Sequence, residues 1–135
     1  MDVLAAVLAA AVCLPSPATN WQNAWPEVRG TARGGTVWAL TLFRSHYQEV
    51  AVYRGLAGRR VEILWRVTGS GTLRVVALGP RGARVPARAR PDDASAWRRP
   101  GRLWRTALVF PRAGCWRVHV ATRTTVGDVR LLLLS

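Results

Sequence analysis

Cysteine, arginine and histidine alternate along FPRAGCWRVHVA (110–121), so that in an extended chain Cys115, Arg117 and His119 share one side and Trp116, Val118 and Val120 the other. A thiol beside cationic groups is a candidate nucleophile, because the thiolate is the reactive form and positive neighbours favour it. Nucleophilic catalysis also needs an oriented base and a pocket, and one strand supplies neither. Cys115 therefore reads as a structural cysteine that packs like a small apolar residue, and a thiol-dependent enzyme is the weakest of the functional readings.

Other chemistry is sparse. His46, His119, Cys115 and Asp128 are spread over separate elements without metal-ligand spacing. Asp92-Asp93 suits a turn as well as calcium. There is no Gly-x-Ser-x-Gly elbow, and Gly69 and Gly71 lie between two strands, without the strand-to-helix setting of a phosphate loop. These absences predict a protein that is not an enzyme and carries no cofactor or metal. The remaining lead pairs indole with guanidinium: Trp97, Arg98, Arg99, Arg102 and Arg105, with Trp104 among them, form a candidate binding surface that could stack on sugars or bases and pair with phosphates.

Charge points the same way. Twenty basic residues against seven acidic ones give a net charge of +13, and every basic residue is arginine. Absent lysine beside abundant Ala, Gly, Pro and Val fits the codon usage of a GC-rich genome, which inflates arginine irrespective of binding. An arginine-rich surface still attracts phosphate and carboxylate polymers in a salt-dependent way. Half of the chain is apolar and seven residues are tryptophan, which argues for a packed globule and against a disordered basic tail.

The elements that position these residues read as strands. TVWALTLF (36–43) is apolar on both sides, as in a strand covered on both faces, and EVAVY (49–53) is a shorter candidate. RVEILWRVTG alternates, with Val61, Ile63, Trp65 and Val67 on one face and Leu64 the exception on the other. TLRVVALG, ARVPA, LWRTALVF, CWRVHVA and DVRLLLLS follow, separated by Gly and Pro turns. The stretch 88–101, broken by Pro91 and Pro100, reads as a long surface loop of the kind that often carries function. About seven strands spaced this way predict an all-β, antiparallel immunoglobulin-like β-sandwich over 36–135. Within it Trp65 faces the core, and Pro111, Gly114 and Trp116 form a corner at the start of the penultimate strand, Trp116 standing where a tyrosine often does.

The N-terminus has a different character. Residues 3–14 are an unbroken apolar run, too short to span a bilayer but suited to a secretory signal, and Ser16-Pro17-Ala18 offers small residues for cleavage after Ala18. A positive charge ahead of the run is missing. The expectation is a signal peptide over 1–18 and a linker over 19–35, with lipoprotein anchoring through Cys13, or a short buried helix, as alternatives. With Cys13 removed or lipidated, Cys115 is left alone, which argues against a Cys13–Cys115 disulfide.

WALTLF, ILWRVTGSGTLRVVALGPRG and above all FPRAGCWRVHV followed by GDVRLLLL resemble a group of small exported bacterial proteins of uncharacterised function. The resemblance spans 36–134, centres on the Phe-Pro-x-x-Gly-Cys-Trp motif, and implies an immunoglobulin-like sandwich with no catalytic residues. Taken together, the sequence predicts a secreted or cell-envelope module, non-catalytic, without a membrane span in the mature chain. Its expected partner is an anionic cell-wall polymer or a protein, and a charge-driven nucleic-acid or polyanion binder is the runner-up.

Overall fold

The computed structural model of the chain describes residues 13–21, 25–45 and 49–135. Residues 1–12, which hold most of the expected signal segment, lie outside them, as does His46. Among the described residues, twelve strands form two antiparallel sheets, one joined by a short parallel strand, facing each other across one core. The first sheet runs, in spatial order, β1 (Ala18–Trp21), β2 (Trp25–Arg29), β4 (Val37–Thr41), β6 (Arg60–Val67), β10 (Arg102–Val109) and β9 (Arg90–Pro91). The second runs β3 (Thr31–Arg33), β12 (Val126–Leu134), β11 (Gly114–Ala121), β7 (Arg74–Leu78) and β8 (Arg84–Arg88). The remaining strand, β5 (Val52–Arg54), adds to β12 as a parallel pair.

Strands rich in β-branched and aromatic residues form where side chains alternate between core and solvent. Val61, Ile63, Trp65 and Val67 of β6 and Trp116, Val118 and Val120 of β11 are all buried and meet in the core between the sheets. A buried indole N–H must find an acceptor. Trp65 Nε1 donates to Thr106 Oγ1 on the neighbouring strand at 2.9 Å, and Thr106 in turn donates to the Ile63 carbonyl.

Trp116 closes the corner before β11: its Nε1 donates to the Arg112 carbonyl at 3.0 Å, four residues upstream, and its ring meets Phe110 edge-on. Gly79 makes room for that ring. A Cβ at position 79 would lie 2.4–2.5 Å from three Trp116 ring carbons. Gly79→Ala should therefore lower stability by about 1–3 kcal/mol through overpacking, checked by urea unfolding; an unchanged midpoint would show that the ring can move aside.

The stretch 19–35 is not a linker. It contributes β1, β2 and β3, and β2 inserts between β1 and β4. The short spans, the masking of alternation by Trp21, Trp25 and Pro26, and the turn-like glycines hid these strands. Over 36–135, where about seven strands are expected, the described residues hold nine, β4 to β12; the short β9 lies within the 88–101 stretch read wholly as a loop, where two residues ending in Pro91 show no alternation.

The two cysteines are joined. Cys13 and Cys115 form a disulfide, with Cα atoms 5.5 Å apart, which corrects the reading that kept them separate. Residues 13–18 run along the open edge of β12 in the gap between β3 and β5. Ser16 N–H donates to the Arg130 carbonyl, Ser16 Oγ accepts from Arg130 N–H, and the Ser16 carbonyl accepts from Ala51 N–H. Cys13 then packs with Val52, Leu132 and Leu134 on the outer face of the second sheet. Cys13 sulfur bonded to Cys115 cannot also carry a lipid thioether, and Cys115 presents no free thiol.

Candidate anion-binding surface

The loop that links β9 to β10 turns its tryptophan inward. Trp97 is fully buried on the outer face of the first sheet, over Leu40, Leu64 and Leu103. This explains why β4 is apolar on both sides and why Leu64 breaks the alternation of β6: the outer face is covered too, by a loop. Trp97 Nε1 donates to Glu27 Oε2, and Arg99 pairs with Glu27 Oε1 while its guanidinium lies 3.8 Å from the centre of the Trp38 ring. Burial raises the Glu27 pKa, but the bonds from Arg99 and Trp97 outweigh it and hold the carboxyl below its usual range.

The other residues expected to bind a ligand are engaged within the molecule as well. Arg98 donates to the Ser95 carbonyl, and Arg102 lies 5.0 Å from the Trp104 ring centre. Arg105 bonds Asp92 through Nε at 2.9 Å and Glu62 through a terminal nitrogen at 3.2 Å. Asp92 also accepts from the Ala94 N–H; that bond, followed by the one from Arg105, holds its carboxyl below the usual range. From beneath, Arg66 donates to the carbonyls of Trp97 and Gly101. The loop is a strap fastened to the sheet, and the expected exposure of Trp97 is corrected by its hydrophobic seat. Arg102 alone of the five has neither an acid nor a carbonyl partner among the described residues.

Of the scattered polar candidates, His119 and Asp128 stand opposite each other on β11 and β12 and are joined through His119 Nδ1 at 3.0 Å, with Arg117 3.8 Å from the same carboxylate oxygen. Cys115 is spent in the disulfide. No cluster of three or more potential metal-binding side chains occurs among the described residues.

The concentration of unpaired charge lies elsewhere. Strands β3, β5, β7, β8, β11 and β12 together carry Arg33, Arg54, Arg74, Arg84, Arg88, Arg117 and Arg130 but a single acid, Asp128. All seven arginines are exposed, since alternation places them away from the core. Register then sets like charges face to face: Arg74 opposite Arg88, Arg117 opposite Arg130, and on the first sheet Arg90 opposite Arg105. Directly opposed like charges destabilise a sheet by a few tenths of a kcal/mol or more. Arg33, Arg74, Arg84, Arg88 and Arg130 have no acidic partner among the described residues, so nothing in the fold offsets this cost for the Arg74–Arg88 pair. A shallow groove of about 270 Å³ on this face runs between Arg74, Arg84 and His119 over Val76 and Pro86.

These residues escaped the sequence reading. Arginines at alternate positions in RVPAR and WRVHV signal an exposed cationic face, but opposition between strands depends on register, which the sequence does not display. Compared with known protein families and with curated proteins, the chain matches none of them.

Proposed function

We propose that this protein is an exported, non-catalytic module of the cell envelope or extracellular space, an immunoglobulin-like sandwich that binds an anionic polymer through the outer face of its second sheet. The observation that carries the reading is the set of seven exposed arginines against one acid on the strands of that sheet, with the opposed Arg74–Arg88 pair lacking any acidic partner among the described residues: a polyanion laid across it replaces repulsion with charge-assisted hydrogen bonds. Few aromatic rings stand among these arginines, which favours a polymer recognised by its phosphates or carboxylates over one read by base stacking. The disulfide supports export, because such bonds persist in oxidising compartments. The resemblance to small exported bacterial proteins agrees with that placement. Export in this form keeps Cys13 in the mature chain, so the mass of the secreted product should include it; a product beginning at Thr19 would refute this part of the proposal.

The binding test is a salt titration on poly(glycerol phosphate). Each phosphate contact contributes roughly 0.7–0.9 to the slope of log K against log salt. Replacing Arg74, Arg88, Arg117 and Arg130 by glutamine should lower the slope by about 3 and weaken binding at least ~100-fold at low salt, whereas Arg98→Gln should change it little. An unaltered slope in the fourfold variant would remove the proposal.

A further inference from the structure

Alternation along β7, β8 and β11 turns Arg74, Val76 and Leu78, then Arg84, Pro86 and Arg88, then Arg117, His119 and Ala121 to the outer face of the second sheet. Register stacks them in rows across the strands: Arg88 beside Arg74 and Ala121, Pro86 beside Val76 and His119, and Arg84 beside Leu78 and Arg117. The middle row carries no arginine. It floors the groove of about 270 Å³, with Arg74 and Arg84 at its two ends. Because Arg84 lies opposite Leu78, four residues on from Arg74, the two are about 13 Å apart along the strands. Asp128, the single acid of these strands, does not line the groove: it pairs with His119 Nδ1 at 3.0 Å from the β12 side, with Arg117 3.8 Å from the same oxygen. Neither Arg74 nor Arg84 has an acidic partner among the described residues.

We infer, on the reading of this face as a polyanion surface, that the groove selects polymers whose charges are separated by a short uncharged segment, such as phosphates joined through a polyol. Two guanidinium groups held apart at the ends of a groove each take one oxyanion, since the planar fork matches two of its oxygens at once. Between them the floor is Val76 and Pro86, and a charge placed over that apolar surface loses hydration without gaining a partner. An uncharged linking segment avoids that cost, whereas a densely charged chain such as polyphosphate incurs it. His119 supplies the polar wall at mid-groove. With its Nδ1–H donating to Asp128, Nε2 on the opposite edge of the ring is an acceptor suited to a hydroxyl of the linking segment.

Calorimetric titration of the full chain with hexane-1,6-diol bisphosphate, butyl phosphate and inorganic pyrophosphate, at fixed pH and ionic strength, tests this. The spaced bisphosphate should bind at least ~10-fold more tightly than the other two, because only it reaches both arginines. A face that answers to charge alone would prefer pyrophosphate, whose charges are densest. Arg74→Gln and Arg84→Gln should each reduce the bisphosphate to the level of butyl phosphate; both side chains are exposed, and circular dichroism identifies any variant that fails to fold. Poly(glycerol phosphate) should displace the bisphosphate at a lower phosphate concentration than inorganic polyphosphate does. Arg117→Gln/Arg130→Gln, outside the groove, should reduce retention on poly(glycerol phosphate) while leaving the ratio of bisphosphate to pyrophosphate affinity unchanged. Retention without a preference for the spaced bisphosphate, or polyphosphate as the better competitor, would overturn the inference and spare the polymer reading; loss of retention with the preference intact would do the reverse.

Discussion

Replacing Cys115 by serine should lower the unfolding free energy by about 3–5 kcal/mol and the melting temperature by roughly 10–20 °C. The disulfide closes a loop of 102 residues, nearly the whole domain, and cross-links of that span remove the most conformational freedom from the unfolded chain. A second contribution is local. Without the bond, the segment that covers Val52, Leu132 and Leu134 keeps the Ser16 hydrogen bonds, the Pro17–Val50 bridge and the bond from Arg29 N–H to the Pro17 carbonyl, all C-terminal to Cys13, so these side chains are intermittently exposed to water. Cys13→Ser should have the same effect, and the double variant should lose no more than either single one, because both remove one bond. Thermal unfolding with and without reductant checks the bond itself: wild type should fall to the level of the variants only when reduced. A wild-type protein whose melting temperature ignores reductant would show that the cross-link contributes nothing.

Two segments that are apolar on both faces illustrate what could be read from the sequence. Thr36 to Phe43 and Leu131 to Leu134 each announce a strand covered twice, since alternation fails where water is excluded from both sides. What the pattern does not contain is the identity of the second cover. For β4 it is a strap seated by Trp97, 57 residues beyond Leu40, and for β12 it is residues 13–18, tied down by Cys13. In both cases the covering piece lacks periodicity of its own, so Trp97 read as an exposed ligand-binding indole and Cys13 as part of a discarded segment. The inward residues of β6 and β11 are legible because one strand is enough to show a period of two. The arginine array is half legible: exposure follows from alternation within a strand, but the Arg74–Arg88 and Arg117–Arg130 oppositions are properties of pairs, created only when strands distant in sequence meet in register.

The strap should prove a structural element whose loss rivals that of the disulfide. Trp97→Ala removes a fully buried indole from over Leu40, Leu64 and Leu103 and should cost about 3–5 kcal/mol. It also deprives the Glu27 carboxylate of a donor, leaving Arg99 as its remaining partner at a site where the glutamate is 5% exposed. Trp97→Phe separates the two effects, since it keeps most of the packing and loses the N–H. Acid should act on the same fastening. Glu27 and Asp92 both have carboxyl groups whose folded-state pKa lies below the ordinary value, so the stability they contribute is complete above the usual carboxylate range and is lost as pH falls through the depressed values. Each protonation releases an arginine, Arg99 from Glu27 and Arg105 from Asp92, so the strap loosens at two points together. Urea unfolding between pH 7 and pH 3 should therefore show a decline that is shallower in Glu27→Gln, which cannot titrate there, than in wild type. Limited proteolysis should begin within 92–101 at low pH. Wild type and Glu27→Gln declining in parallel, or Trp97→Ala retaining wild-type stability, would show that the loop rests on the sheet without holding it.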